Sequence, residues 1–369
     1  MNRFIRIYLL PGAVMQSVMI GGAYGTGREM TEYFTRYGMG GGLLGLGVTV
    51  VAIAVIFALS LAVAWRFKAF DYRRFSRELL GPLWFMYEIV IAILILLVLA
   101  VITAAAGSIL ADQFGFHRLI GGVLVFAAVG ALIFFGRSWV TTTLAFWSLF
   151  LYAVFIAYLV TVFVALDPTP AGSEASVQDG WFASGLRYTL YNISAIPIVL
   201  YAAMAIETHR QAIAAGIIGA FIAVLPAVML HLSFAVDYPA IIDAELPVYH
   251  LLGIVDLPWL EIAYIVVILG TFIETAAGNI QGIIERIEGA LFERRGAGLG
   301  RRKHVLIALA IMVTAVLVSQ FGIFALVAEG YSTIAWGFLL FYAGPLLTVG
   351  VYKLYIRRPE TETESSDDR

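Results

Sequence analysis

Two carboxylates, Glu29 and Glu274, stand beside or inside long apolar runs, where an ionised side chain is costly and marks a candidate functional position. Glu29 follows the stretch 7–27, which holds no Asp, Glu, Lys or Arg, and has Arg28 before it and Glu32 after it. Arg28 and Glu32 are spaced i,i+4, so on a helix they pair along one face and leave Glu29 to face an interior cavity. The plainer alternative puts all three at a water interface as ordinary surface charges. Glu274, Gly278, Gln281 and Glu285 recur as one helical stripe, and Thr271, Thr275, Gly278 and Gly282 form a second that overlaps it. A polar face on an otherwise apolar helix points into a bundle. Glu274 is therefore a candidate proton carrier, with a structural hydrogen bond between helices as its alternative.

The backbone around Glu29 carries its own signal. Gly21, Gly22, Gly25 and Gly27 fall near the middle of the first apolar stretch, and each costs a helix interior about 1 kcal/mol relative to alanine. Clustered this way they predict an interruption, which lipid tolerates only where protein or a water-filled cavity satisfies the freed peptide groups. Freed carbonyls bind cations, and the amino terminus of the next half-helix attracts an anionic group. Gly22, Tyr24, Gly25, Thr26, Gly27 and Glu29 are thus candidate substrate contacts, and Gly21 a candidate ion contact. For Gly38, Gly41, Gly42 and Gly45 close helix packing is the expectation instead. Further on, Tyr191, Asn192 and Ser194, which are candidate substrate contacts too, precede Pro197, which removes a backbone donor. A second interruption and a kinked continuous helix both fit that pattern. His231 reads as a hydrogen-bonded packing residue, and Glu88 as a group near a helix end that reaches water.

These residues need an unusual scaffold. The 369-residue chain is 61% hydrophobic and 13% charged, with a mean hydropathy of +0.92; soluble domains carry about 25% charged residues. The stretches 7–27, 38–65, 89–111, 138–166, 211–236, 305–328 and 330–352 are free of charge. Each is long enough to cross roughly 30 Å of hydrocarbon as a helix. With 119–136, 188–206 and the region 259–291 around Glu274, they predict an all-α polytopic membrane protein of about ten spans. Alternation in polarity, the mark of a β-barrel, is missing from these runs. A net charge of -2 gives no reason to expect nucleic acid as a partner. The chain has no cysteine, so disulfides and thiolate chemistry are excluded.

Arginine and lysine order the spans. With the amino terminus in the cytoplasm, Arg3, Arg6, Arg66, Lys68, Arg73, Arg74, Arg77, Arg137, Arg210, Arg286, the 294–303 cluster, Lys353, Arg357 and Arg358 lie inside, leaving Arg36, Arg118 and Arg187 outside. Both termini are expected to be cytoplasmic, in the cell membrane, and the first stretch is expected to remain as a helix rather than be cleaved as a signal peptide. Residues 66–81 read as an interfacial amphipathic helix, and 237–258 as an outer loop with short helices over a vestibule. The spacing of the interruptions and of the long third and eighth spans divides the chain into a five-helix repeat, 1–166, an external loop, 167–182, a second and inverted five-helix repeat, 183–356, and a polar cytoplasmic tail, 357–369.

The run Gly21-Gly22-Ala23-Tyr24-Gly25-Thr26-Gly27-Arg28-Glu29, followed by Tyr33-Phe34 and a glycine-rich turn, resembles the first helix of YkvI-type membrane proteins. The likeness extends to Tyr191-Asn192 and to Thr275-Ala276-Ala277-Gly278-Asn279, and in overall layout to most of the chain. The family commonly carries Gln where this chain has Arg28. The resemblance implies the amino acid–polyamine–organocation superfamily, with a LeuT-like five-plus-five inverted repeat and interrupted first and sixth helices. It also implies a secondary active transporter of an amino acid or related small polar solute, coupled to sodium or protons. A sodium site built from first-helix carbonyls and eighth-span hydroxyls is best matched by Thr275, with Thr271 and Glu274 beside it. No cofactor is expected beyond Na+ or H+. The expected partners are a small-molecule substrate and the lipid bilayer. An intramembrane enzyme has no GxSxG, HExxH or paired-aspartate pattern to support it. A sensor or a channel remains as the other alternative.

Overall fold

A computed structural model describes residues 2–21, 23–135, 137–166, 176–295 and 301–356. Gly22, most of the expected external loop and the polar tail lie outside the described residues. The apolar runs are helices, and no strand occurs among the described residues. After a short π-helical turn at Ile5–Leu9 come α1 (Leu10–Met19), α2 (Arg28–Tyr33), α3 (Met39–Phe67), α4 (Tyr72–Leu80), α5 (Trp84–Phe114), α6 (Arg118–Phe135) and α7 (Arg137–Ala165). The chain continues through α8 (Trp181–Asn192), α9 (Ile196–Val199), α10 (His209–Ser233), α11 (Pro247–Val255), α12 (Pro258–Arg295) and α13 (Arg301–Ser319). The last long segment contains α14 (Gly322–Ala325), α15 (Ser332–Phe338) and α16 (Val351–Tyr355), joined by π-helical turns.

Among the described residues, six helical segments are long and apolar enough to cross a membrane, with shorter apolar helices at Ile5–Met19, Arg118–Ala131 and Phe150–Ala165. The surface agrees with lipid as the solvent. Val51, Phe221, Ile262 and Leu340 are 65%, 61%, 61% and 64% exposed, and water would not tolerate so many large apolar side chains on so many faces. The amphipathic segment expected at 66–81 becomes α4. Asp71 caps it by accepting from the Arg73 and Arg74 amides at 3.0 Å each, and Phe75 and Leu79 turn inward while Arg77 stacks on Trp84.

The long helices pack in two groups. In the first, α3 lies along α10 and α8, and α1 lies on α10; in the second, α5, α6 and α13 associate, with α12 against α6, α7 and α5. Backbones approach closely inside the first group because small residues permit it. A Cβ added at Gly216 would stand 2.4 Å from Ala58 Cα, and one at Gly12 would stand 2.5 Å from Gly219 Cα. His231 occupies the α10–α3 seam as a satisfied packing residue, in line with its sequence. Its Nε2 faces the Met39 carbonyl at 2.9 Å and so carries the proton, while Nδ1 accepts from the Thr35 hydroxyl at 2.9 Å.

The expected interruption of the sixth span takes a milder form than an unwound segment. From α8 the chain tightens into 3-10 geometry at Ile193–Ala195, returns to α-helix as α9, and tightens again at Leu200–Ala203, keeping right-handed helical dihedrals at Asn192, Ala195, Ile196 and Leu200. Pro197 sits in the first turn of α9, where its missing N–H removes little. The Ser194 carbonyl one turn earlier accepts from the Tyr87 hydroxyl at 3.1 Å. The proline changes the helix type without unravelling the helix.

Close packing between α10 and α3 predicts a contrast in stability. Gly216→Val is expected to lower the midpoint of thermal unfolding in detergent, at a cost of about 2 kcal/mol from overpacking. Gly47→Ala, where an added Cβ meets nothing within 4 Å, is expected to leave it unchanged or raise it.

Candidate functional site

The first span is broken, as its glycines predict. Helix α1 ends at Met19, and Ile20 leaves helical geometry at φ -78, ψ 58. Three tight turns follow. The Tyr24 amide donates to the Gly21 carbonyl at 3.1 Å, Thr26 to Ala23 at 3.2 Å, and Gly27 to Tyr24 at 2.9 Å. Gly27 then starts α2 at φ +82, a conformation that disfavours any side chain, with Phe234 and Val248 filling the space a Cβ would need. Neighbouring elements satisfy much of the rest. The Tyr264 hydroxyl of α12 donates to the Gly25 carbonyl, and the Val248 amide of α11 donates to the Thr26 carbonyl at 3.1 Å. The Thr26 hydroxyl donates to the Ala23 carbonyl at 2.6 Å and accepts from the Arg28 amide at 3.2 Å. Its side chain thus braces the turn.

Arg28, Glu29 and Glu32 are all buried on α2, at 2%, 3% and 9% exposure, so the surface-charge alternative does not hold. Arg28 pairs with Glu32 at 2.8 Å, matching their i,i+4 spacing, and Glu32 also receives Arg36. The Arg28 guanidinium donates to the Ile242 carbonyl at 2.9 Å and the Ala244 carbonyl at 3.3 Å, and lies 3.7 Å from the centre of the Phe324 ring. One side chain thereby ties α2 to the segment before α11 and to α14. Glu29 points elsewhere, to the Tyr191 hydroxyl, which donates to its Oε2.

Tyrosines surround Glu29. Tyr191 stacks on Tyr331 with centroids 4.8 Å apart, meets Tyr188 at 5.4 Å and meets Tyr33 at 5.6 Å. Tyr33 is held by the Val327 carbonyl at 3.0 Å and the Ser332 hydroxyl at 3.2 Å. Tyr24 and Tyr188 are fully buried, and the Tyr24 hydroxyl has no hydrogen-bond partner among the described residues. Asn192 is buried and donates to the Tyr188 carbonyl at 3.0 Å, while Ser194 is buried two residues beyond. Of the candidates named from sequence, Tyr24, Glu29, Tyr191 and Asn192 thus share one neighbourhood. Tyr33, Tyr188 and Tyr331 were missed, because tyrosines on distant spans give no spacing signal that links them.

The ion-contact candidates meet at the other edge of the break. A Cβ on Gly21 would lie 3.5 Å from both the hydroxyl and the methyl group of Thr275. Thr275 has no hydrogen-bond partner among the described residues, whereas Thr271, one turn earlier and buried, donates back to the Val267 carbonyl at 2.9 Å. Glu274 is half-buried, with no ion pair or hydrogen bond among the described residues. Glu88 pairs with Arg286 at 2.6 Å near α4, linking α5 to α12. Among the described residues no group of three His, Cys, Asp or Glu converges on a metal site.

The two ends of the break differ. Towards α11 the way is shut by Arg28 and by Phe234, Pro247 and Val248. A small apolar void lies there, between Thr26, Ile109, Leu246, Tyr249 and Ile268. Towards α4, α1 hardly touches α12, Val18 is 45% exposed, and Cβ atoms on Gly278 or Gly282 would meet nothing within 4 Å. These glycines continue the α12 face that meets the break at Thr275.

Removing Arg28 leaves Glu32 short of one buried partner, a loss of about 3 kcal/mol or more. Arg28→Ala is expected to lower thermal stability accordingly and to speed amide hydrogen exchange in 240–248 before any other loop.

No family model matches the chain. Among curated proteins it is similar to the uncharacterised membrane protein YkvI of Bacillus subtilis (strain 168), with 24% identity over 342 residues, 89% of this chain and 92% of the relative. Among solved structures it resembles a Na+-coupled sialic acid symporter in a substrate-bound, outward-open state, with TM-score 0.58 and 13% identity over 94% of this chain and 78% of that one. It also resembles Mhp1 in its inward-facing conformation, with TM-score 0.56 and 14% identity over 94% and 76% of the two chains. A manganese transporter of Eremococcus coleocola gives TM-score 0.53 and 13% identity over 93% and 78%. At such identities the structural likeness speaks to the fold alone. By sequence the chain is similar to YkvI over nearly its whole length, and by fold it is a LeuT-like helical membrane protein of the kind that its first-helix motif implied.

Proposed function

We propose that the protein is a secondary carrier that moves a small polar solute across the cell membrane by alternating access, with a sodium ion or a proton as the driving species. The observation that carries this reading is the interruption at residues 20–27, held between two helix groups with Glu29 and the tyrosines on one edge and Thr275 on the other. A purely structural helix has no use for that arrangement, which gives up helical hydrogen bonds inside an apolar bundle. The structural neighbours, a Na+-coupled sialic acid symporter and a manganese transporter among them, support the same class.

In this account Glu29, Tyr24, Tyr191, Asn192, Ser194 and the backbone from Gly22 to Gly27 hold the solute. The carbonyls near Gly21, with Thr275 and Thr271, hold a sodium ion. If the driving species is a proton, Glu274 carries it instead, from its half-buried place one residue before Thr275. The positive-inside rule puts both termini and α4 in the cytoplasm. The seal at Arg28 then faces outward and the gap between α1 and α12 faces the cytoplasm, an inward-open arrangement. The inverted five-helix repeats supply two such arrangements by the rocking of one helix group against the other.

Reconstituted protein is expected to accumulate its solute only under a sodium or proton gradient. If protons drive it, Glu274→Gln is expected to abolish accumulation and preserve one-for-one solute exchange. If sodium drives it, Thr275→Ala is expected to raise the half-saturating sodium concentration about tenfold, the loss of one ligand. Accumulation that ignores both gradients contradicts the coupling, and chemical conversion of the solute contradicts the carrier.

A further inference from the structure

The corner where α3 gives way to α5, cytoplasmic by the positive-inside rule, carries more positive charge than its own carboxylates balance. Between 66 and 88 stand five cations, Arg66, Lys68, Arg73, Arg74 and Arg77, against three carboxylates. Those carboxylates are engaged. Asp71 caps α4 by accepting from two backbone amides, Glu78 pairs with Lys353 at 3.1 Å, and Glu88 pairs with Arg286 at 2.6 Å. Lys353 and Arg286 come from distant parts of the chain, so they bring further positive charge to the corner. On α4 the inward face is Phe75 and Leu79, one turn apart. Arg73, Arg74 and Arg77 project from the other side of the helix, and Arg74 and Arg77 are exposed.

Two of these arginines are gathered on one ring. The guanidinium carbons of Arg77 and Arg73 lie 4.7 Å and 5.7 Å from the centre of Trp84. Like charges so placed repel, and an anion set beside them relieves the repulsion. The bend next to them has room. Gly81 joins α4 to the turn before α5 at φ +53, and a Cβ added there would meet nothing within 4 Å. Further along α5, Phe85, Ile89 and Ile93 recur every fourth residue, and all three are exposed. A basic site at the membrane interface thus continues into an apolar strip.

We propose that α4 and the start of α5 bind an anionic phospholipid of the cytoplasmic leaflet. Its phosphate lies against Arg74 and Arg77, and its acyl chains follow Phe85, Ile89 and Ile93. Guanidinium forks match phosphate oxygens in pairs, and indole rings such as Trp84 favour the headgroup level. Each cation at such a surface contributes about fivefold to the affinity for an anionic lipid. A zwitterionic lipid offers the same phosphate but brings its own ammonium, which the arginines repel. A free phosphate ester has no chains to occupy the strip.

The test counts lipids bound to the full-length protein in detergent by native mass spectrometry, with thermal unfolding as a second readout. The probes are phosphatidylglycerol and phosphatidylcholine with the same acyl chains, and glycerol phosphate. Phosphatidylglycerol is expected to bind saturably, to raise the unfolding midpoint, and to bind less tightly as salt rises. The other two are expected to bind about tenfold more weakly or worse, the loss of an anionic match or of the chains. Arg74→Gln combined with Arg77→Gln is expected to weaken phosphatidylglycerol binding about thirtyfold, the effect of two charges. Arg210→Gln, which removes an exposed cation at the start of α10, is expected to leave it unchanged. Should the double variant fold poorly, the single Arg74→Gln carries the test with about a fivefold loss.

Equal affinity for phosphatidylcholine removes the anion preference, and equal affinity for glycerol phosphate leaves a phosphate site with no lipid in it. Either result overturns the proposal. So does phosphatidylglycerol binding that is absent, that ignores Arg74 and Arg77, or that falls as far on loss of Arg210.

Discussion

Everything in this fold answers to the interruption between α1 and α2, whose described residues, Ile20, Gly21 and Ala23 to Gly27, are not helical inside a protein solvated by lipid. Peptide groups released there cannot turn to hydrocarbon, so the protein supplies partners. The interruption folds on itself through Gly21, Ala23 and Tyr24. Helix α12 contributes the Tyr264 hydroxyl, and α11 contributes the Val248 amide. The contact of α11 with Thr26 and the closeness of α12 to Gly21 answer that demand. So does the small size of residues 21, 25 and 27: Ile268, Phe234 and Val248 occupy the space that larger residues at 25 and 27 would claim.

Three carboxylates near this segment are treated in three ways. Glu32 sits between Arg28 and Arg36 and serves as structure. Glu29, one residue past Arg28, has one described partner, a tyrosine hydroxyl. Glu274, across the break, has no described partner. Ionising a carboxyl away from water is expensive, and a protein that wanted only stability would have paired or replaced all three. Pairing one and leaving two under-satisfied puts chemical potential where a guest can use it. The division also runs along the axis of the molecule: the paired carboxylate belongs to the closed end, and Glu274 borders the α12 face that is open at Gly278 and Gly282.

Much of this was legible in the residues. Charge-free runs marked the long helices, four glycines marked the break, and i,i+4 spacing marked the Arg28–Glu32 pair. The alternation of aromatic and basic residues announced α4, and the character of His231 followed from its apolar surroundings. What stayed hidden depended on tertiary neighbours. Pro197 said that the sixth span was disturbed, but whether it unwound depended on Tyr87, a residue over a hundred positions earlier that accommodates the Ser194 carbonyl. The tyrosine cage is assembled from α2, α8 and the turn before α15, and tyrosine is too common here for any one of them to stand out. The π-helical turns of the last span carry no local mark comparable to a glycine run.

The central claim is that the break opens on water towards α4, and that the bare α12 face is the wall of a vestibule. The chain has no native cysteine, so a single Gly278→Cys substitution reports on this position without background. In inside-out membrane vesicles, a membrane-impermeant maleimide should label it rapidly, and a sodium gradient or a proton gradient should change the rate. Labelling only by lipid-soluble reagents, at a rate indifferent to both, would mean that hydrocarbon covers that face and would contradict the account.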